Sequence, residues 1–367
     1  MKRIVFGLLL AFIMLLSVSC DYSIKGVSDP GTADEIVLPE SSGNSKLNVN
    51  LRNVVPNNAY QQNVVNKLYD NIGTEQFCVD FCVDEKNIYV LRYGEKADGV
   101  ETGKLVDVYD VETGRLITKI SAGEDIKCNA IAINNKMIYL YDYVSGEILK
   151  YSTEGTFVGK TDTKMPNVKV AKMEVLDWGA RLAVLGAYSG KDMIYILSCD
   201  SHKYGKLSTS NVTVQLDYDG SIQDFCIMNE SSIVIKVSPE RICLYDLNKE
   251  RVVKTSYIPD SAKLIQFSSG ILYSVSVPKV ALYGNQVANI SNEGSGNSIG
   301  RLIVGVDFPW STDSASLNDF QLGDISIPFA GIGLNHIKMK QNNKYLFFLD
   351  RGNNGKAEAS SIYRVAK

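Results

Sequence analysis

The sequence predicts an all-β fold built from one recurring unit, and three observations carry that prediction. Short β-branched and aromatic runs, punctuated by Gly, Asn and Asp, recur down the chain from Asp80; these are strand and hairpin signals. One stretch, Asp80 to Ile120, reads as a complete four-stranded antiparallel unit. The same grammar then recurs at intervals of roughly 40–50 residues, the period of a four-stranded repeat.

Within that first unit, Phe81–Val83 opens as an apolar strand and a turn at Asp84–Asn87 leads to Ile88–Leu91. A polar loop runs to Lys104, Leu105–Tyr109 follows, and an Asp-Val-Glu-Thr-Gly turn delivers Arg115–Ile120. Further apolar runs of the same kind stand at Met137–Leu140, Leu182–Leu185, Ile233–Ile235, Ile271–Val275 and Tyr345–Leu349. Each has a second run behind it, at Ile148–Tyr151, Met193–Leu197, Ile242–Tyr245, Val280–Tyr283 and Ser361–Val365. Third runs include Phe157–Lys160, Arg251–Tyr257 and Gln286–Ile290. One pair of repeats agrees in letters too. Asp80-Phe81-Cys82-Val83 and Asp224-Phe225-Cys226-Ile227 lie 144 residues apart.

A four-stranded unit cannot bury both of its faces alone, so units stack around an axis and the ring must close. The expectation is a β-propeller of six four-stranded blades, with seven as the alternative. The last unit stops after its third strand, at Lys367. An N-terminal strand should therefore supply the missing outer strand; Lys46–Val55 is the first candidate and Glu35–Leu38 the second. The interval from Leu272 to Leu346 is 74 residues, too long for one blade. An insertion is expected at about 291–334.

The N-terminus reads as a targeting device. Lys2-Arg3 precedes an apolar run from Ile4 to Leu16, too short to span a bilayer and flanked like a signal peptide. Residues 1–19 are read as a lipoprotein signal peptide, because Leu16-Ser17-Val18-Ser19 ends on Cys20 and resembles a bacterial lipobox. That resemblance implies acylation of Cys20, a membrane anchor and a place in the bacterial cell envelope. Residues 20–45, rich in Ser, Gly, Asp and Pro, form a flexible tether, and 46–367 the propeller domain.

Composition removes several function classes. With 38 basic against 41 acidic residues there is no footprint for nucleic acid. Besides Cys20, six cysteines sit mostly inside apolar strand runs, where a free thiol behaves as a small buried hydrophobe. Cys78 and Cys82, four residues apart, lie about 13 Å from each other on one strand and cannot bridge. Neither metal-ligand spacing nor a cofactor fingerprint is present. Only two histidines are available, so a Ser-His-Asp relay has few bases to draw on.

The repeat Met137-Ile138-Tyr139-Leu140-Tyr141-Asp142, followed by Glu147-Ile148-Leu149-Lys150-Tyr151 and a turn at Gly155, resembles six-bladed TolB-like and NHL-type propellers. The resemblance covers about 71–367 and implies a fold, not an activity, since propellers host enzymes and scaffolds alike. The expected function is a lipid-anchored envelope binding or scaffold protein that presents a propeller face to a protein or glycan. The alternative is a propeller hydrolase or lyase acting on a carbohydrate or lactone. Phe308 and Trp310 in the insertion, with His336 at the start of the last blade, are the candidate ligand-facing residues. No catalytic residue and no metal ligand is assigned.

Overall fold

A computed structural model describes residues 66–69 and 78–367, leaving out 135, 177–180, 189–190, 199–211, 215, 217–219, 258–261, 269–270, 277–279, 284–285, 290–297, 306–319, 330–336 and 352–359. The described chain is a β-propeller. Its strands form six four-stranded antiparallel sheets and two small hairpins among the described residues.

Sheet one holds Cys78–Val83, Asn87–Arg92, Leu105–Asp110 and Leu116–Ser121. Sheet two holds Cys128–Asn134, Met137–Asp142, Glu147–Ser152 and Phe157–Asp162. Sheet three holds Lys169–Leu176, Arg181–Tyr188, Lys191–Ser198 and Val212–Val214. Sheet four holds Ile222–Asn229, Ser232–Val237, Arg241–Asp246 and Arg251–Tyr257. Sheet five holds Ala262–Ser268, Ile271–Ser276, Ser298–Gly305 and Phe320–Phe329. Sheet six holds Ile337–Gln341, Tyr345–Asp350, Ser361–Ala366 and, at its far edge, Asn66–Tyr69.

The first strand of each sheet is innermost. Each packs against the first strand of the next sheet, and that of sheet six returns to that of sheet one. The apolar runs at 88–91, 137–140, 182–185, 233–235, 271–275 and 345–349 are thus second strands, and Ile88–Leu91, Leu182–Leu185, Ile233–Ile235 and Leu346–Leu349 are buried throughout. Apolar side chains from successive sheets form the cores. Val79, Leu91 and Val108 of sheet one pack with Ile131, Ile138 and Leu149 of sheet two. Phe81, Ile88 and Val90 pack with Phe347, Leu349 and Ile362 of sheet six.

Two expectations change. The strand that completes sheet six is Asn66–Tyr69, paired antiparallel with Ser361–Ala366 through Asn66↔Arg364 and Lys67↔Tyr363. The closing device was foreseen, but Lys46–Val55 and Glu35–Leu38 both lie outside the described residues. A four-residue strand with two apolar side chains, Leu68 and Tyr69, gives no period to read from sequence. The long interval also divides differently. Ser298–Gly305 and Phe320–Phe329, inside the expected insertion, are the third and fourth strands of sheet five. The excursion is a separate hairpin, Val280–Tyr283 with Gln286–Asn289, whose letters match a blade strand but which among the described residues pairs as a two-stranded sheet of its own.

Candidate functional site at the ring axis

Alternation along the innermost strands turns every second side chain toward the axis or the adjoining strand, and on sheets one, three, four and six some of those positions are charged. Asp80, Lys172, Asp224 and Lys340 are all buried there. An isolated buried charge is costly, so each must find partners.

Asp80 sits on sheet one between its neighbours. Its Oδ2 accepts from the Ile131 N–H of sheet two at 3.1 Å, and its Oδ1 lies 3.0 Å from the Lys338 ammonium of sheet six. Asp224 does the same work on sheet four. Its Oδ2 accepts from the Ile265 N–H of sheet five at 2.7 Å, and its Oδ1 lies 3.1 Å from the Lys172 ammonium of sheet three. The repeated Asp-Phe-Cys therefore has a physical duty. Its carboxylate ties the sheet before it, through a lysine, to the sheet after it, through a backbone amide.

The lysines stand in a repeat of their own. Lys338-Met339-Lys340 on sheet six corresponds to Lys172-Met173-Glu174 on sheet three. Where one segment carries Lys340 the other carries Glu174, and the two meet at 3.9 Å. Lys340 also donates to the Met173 carbonyl at 2.8 Å. Glu174 accepts from the Gln266 amide at 2.9 Å and from the Ile227 N–H at 3.3 Å. Gln266 in turn donates to the Met339 carbonyl at 3.1 Å, and Lys172 to the Ile265 carbonyl at 3.0 Å. Contacts from four sheets converge on the middle of the ring and tie it across.

The protonation states follow from these neighbours. Burial works against the Lys172 ammonium, but Asp224 and Glu174 outweigh it and hold its pKa above the ordinary lysine value. Burial pushes the Asp224 carboxyl up, with Lys172 and the Ile265 N–H pulling the other way. Burial also opposes the Glu174 carboxylate, yet Lys172 and Lys340 bring it below the usual range. Burial lowers Lys340, against the pull of Glu174 and Asp80. Burial likewise raises the thiols, Cys78 to about 12 and Cys82 and Cys226 well above the ordinary value. Thiols held protonated in this way are poor nucleophiles. The five described cysteines are all free and buried, as the sequence suggested, while Cys199 and Cys20 lie outside the described residues.

Beside this network lies a cavity of ≈ 230 Å³ that touches all six innermost strands, through Cys82, Ala132, Met173, Ile227, Gln266 and Lys340. It is smaller than the roughly 300–1,000 Å³ of ordinary small-molecule sites. Its charged lining, Glu174 and Lys340, is already engaged by protein groups. The one spare acceptor is Gln341 Oε1, buried with no hydrogen-bond partner among the described residues. Chemically the axis is a charge-balanced plug with a shallow cup on it.

The sequence-predicted site residues Phe308, Trp310 and His336 lie outside the described residues, as does Cys20. The axial residues were not singled out from sequence, although the Asp-Phe-Cys repeat was noticed. The signal available was a lysine two residues before a second charge in an otherwise apolar strand, at Lys338-Met-Lys340 and Lys172-Met-Glu174.

No family model and no curated protein matches the chain. Solved structures do resemble it in fold. The structure of U3-55K has a TM-score of 0.47 at 13% identity, covering 82% of this chain and 98% of that one. The Neurospora crassa Pan2 WD40 domain gives 0.44 at 11%, over 79% and 74%. The Cps50 (Swd1) β-propeller domain of Myceliophteria thermophila gives 0.46 at 9%, over 83% and 100%. Likeness at this level carries no argument; the fold stands on the strand pairing itself.

Proposed function

We propose that this chain is a non-catalytic binding or scaffold protein of the bacterial cell envelope, anchored by a lipid on Cys20. Its propeller, of the TolB-like and NHL-type plan, has six blades and presents its outer surface to a protein partner. The observation that carries the non-catalytic reading is the axis. Its carboxylates and lysines are consumed in pairing Asp80 with Lys338, and in tying Lys172, Glu174, Asp224 and Lys340 to one another and to backbone groups. A catalytic pair of carboxylates needs a free acid and a free base, and this plug offers neither. The six-blade count is supported by six four-stranded sheets whose innermost strands touch in succession. Anchoring is supported by the basic and apolar leader that ends on Cys20.

The test is metabolic labelling of bacteria with an alkyne fatty acid, comparing the wild type with Cys20→Ser. The label is expected on the wild type and absent from the variant, which should fractionate as a soluble protein. In the same cells, a photo-crosslinking amino acid placed around the propeller surface should capture envelope proteins. Equal labelling of both chains would overturn the anchor, and an absence of adducts from every surface position would overturn the scaffold.

A further inference from the structure

The cup on the axis has hydrogen-bonding capacity that the plug leaves unspent. Lys340 lines it, with a side chain 9% exposed. An ammonium carries several N–H donors, and Lys340 gives one to the Met173 carbonyl at 2.8 Å. Glu174 Oε1 stands 3.9 Å from its nitrogen, an attraction between charges but too far for a hydrogen bond. Lys340 thus keeps donors unspent among the described residues. Glu174, also on the lining, accepts from the Gln266 amide and the Ile227 N–H, and a carboxylate has room for more. A buried donor without an acceptor is costly, so a group that answers both residues is favoured here.

Shape and charge narrow what that group is. The cup opens where the innermost strands end. Val83, Ile133, Val175 and Ile227 stand within three residues of those ends and wall it with aliphatic groups. Ile133, Val175 and Ile227 are only half-buried, so the mouth is open to solvent. With one cation and one anion in the lining, a charged guest would meet its own sign. A neutral guest meets none. At ≈ 230 Å³ the space suits a single side chain.

We propose that the cup receives the side-chain carboxamide of a glutamine from the protein partner. This deepens the scaffold reading and rests on it. The oxygen and nitrogen of a carboxamide lie about 2.2 Å apart, from C=O and C–N bonds of about 1.23 and 1.33 Å. Two hydrogen bonds of about 2.9 Å then span the gap between Lys340 and Glu174. Lys340 donates to the amide carbonyl, and the amide N–H donates to Glu174. The two methylenes of the glutamine lie against the aliphatic mouth.

The probe is N-acetyl-glutamine methylamide, titrated into the folded chain carrying labelled methionine methyl groups. The Met173 methyl, on the lining, is followed by NMR and assigned by its loss in Met173→Leu. A saturable shift is expected with a midpoint of roughly 1 mM, as suits so small a ligand. The glutamate and lysine analogues, of similar reach but charged, should bind at least tenfold more weakly. Lys340→Met removes the donor and should weaken binding at least tenfold. Ile133→Trp, at the half-buried mouth and outside the charge network, should close the cup with a similar loss. Circular dichroism checks that each variant is folded. No saturable shift, or equal binding by either charged analogue, overturns the proposal. So does undiminished binding by either folded variant, or saturation by methyl glucoside in place of the amide. A photo-crosslinker at Ile133 in cells separates the two readings. Adducts formed elsewhere on the propeller but not there sink the cup and leave the scaffold standing.

Discussion

Sheets six, one and two and sheets three, four and five are built to one plan around the axis, and they differ at one decisive position. In the first half Lys338, Asp80 and the Ile131 N–H form a chain from sheet to sheet. In the second, Lys172, Asp224 and the Ile265 N–H form its counterpart. Two residues beyond each lysine the halves part, with Lys340 in one and Glu174 in the other. Identical residues there would put like charges together in the middle of the ring. Opposite charges let the halves bond across the axis. Repetition thus builds the circumference, and a break in the repetition secures the centre.

The comparison is broken most severely by removing one of its aspartates. Asp224→Ala leaves Lys172, whose side chain is 8% exposed, with Glu174 at 3.5 Å as its one charge partner among the described residues. It also strands the Ile265 N–H. Breaking a buried pair from one side costs about 3–5 kcal/mol. The matching Asp80→Ala orphans Lys338, whose side chain is 14% exposed and can recruit water. Its loss should be smaller, about 2–3 kcal/mol, since partial solvation trims the penalty of an unpaired group. Urea unfolding of the two variants measures the difference; equal losses would mean that the two halves are not distinguished by burial.

Next comes the symmetry-breaking pair. Lys340→Glu places a second carboxylate against Glu174, and Glu174→Lys does the reverse with ammonium groups. Each should destabilise. The double exchange restores an opposite-charge pair, and a cycle of the four proteins should show a favourable coupling of about 1–3 kcal/mol. Additive losses would show that the backbone contacts to Met173 and Ile227, rather than the charge pair, govern these positions.

Strand content and ring architecture were legible because they depend on local period, and a buried second strand such as Ile88–Leu91 or Phe347–Leu349 announces itself in letters. The closing strand was foreseen as a necessity but misplaced, since Asn66–Tyr69 is strand only through its partner. The excursion within sheet five was misdivided for a related reason. A hairpin at Val280–Asn289 and a blade strand share composition and differ only in what they pair with. The axial site was half legible. Asp80-Phe81-Cys82 and Asp224-Phe225-Cys226 stood out as letters, but a carboxylate's partners come from sheets far away in sequence, as with Lys172 and Ile265 around Asp224, and no spacing rule reaches them.

A milder perturbation is acid. Glu174 is held below its ordinary value of 4.5, so its contribution to stability is present above that pH and is lost as the pH falls through its folded value. Asp224, raised by burial, has the opposite sign and favours the folded state in acid. The urea midpoint is expected to fall between pH 5 and 3, and Glu174→Gln should flatten that fall. An unchanged acid limb in the variant would assign the acid sensitivity to other carboxylates.

The smallest effect belongs to the turns between third and fourth strands, where sheets one and four again correspond. Asp110 accepts from the Glu112 and Thr113 N–H groups at 3.1 and 2.7 Å and from the Thr113 hydroxyl at 2.7 Å. Asp246 accepts from the Asn248 and Lys249 N–H groups at 2.9 and 3.0 Å. Short side chains that bond two residues ahead in this way fix a turn. Thr113, through its hydroxyl and amide, lowers Asp110, and the Lys249 amide lowers Asp246, both from 3.8. Carboxyl carbon shifts followed by NMR should therefore place both midpoints below 3.8, each returning toward that value on unfolding. Thr113→Val removes one donor to Asp110 and none to Asp246, so only the first midpoint should rise. Movement of both would mean that the turns respond to a shared field, whereas movement of one alone makes each turn a local device repeated by the sequence.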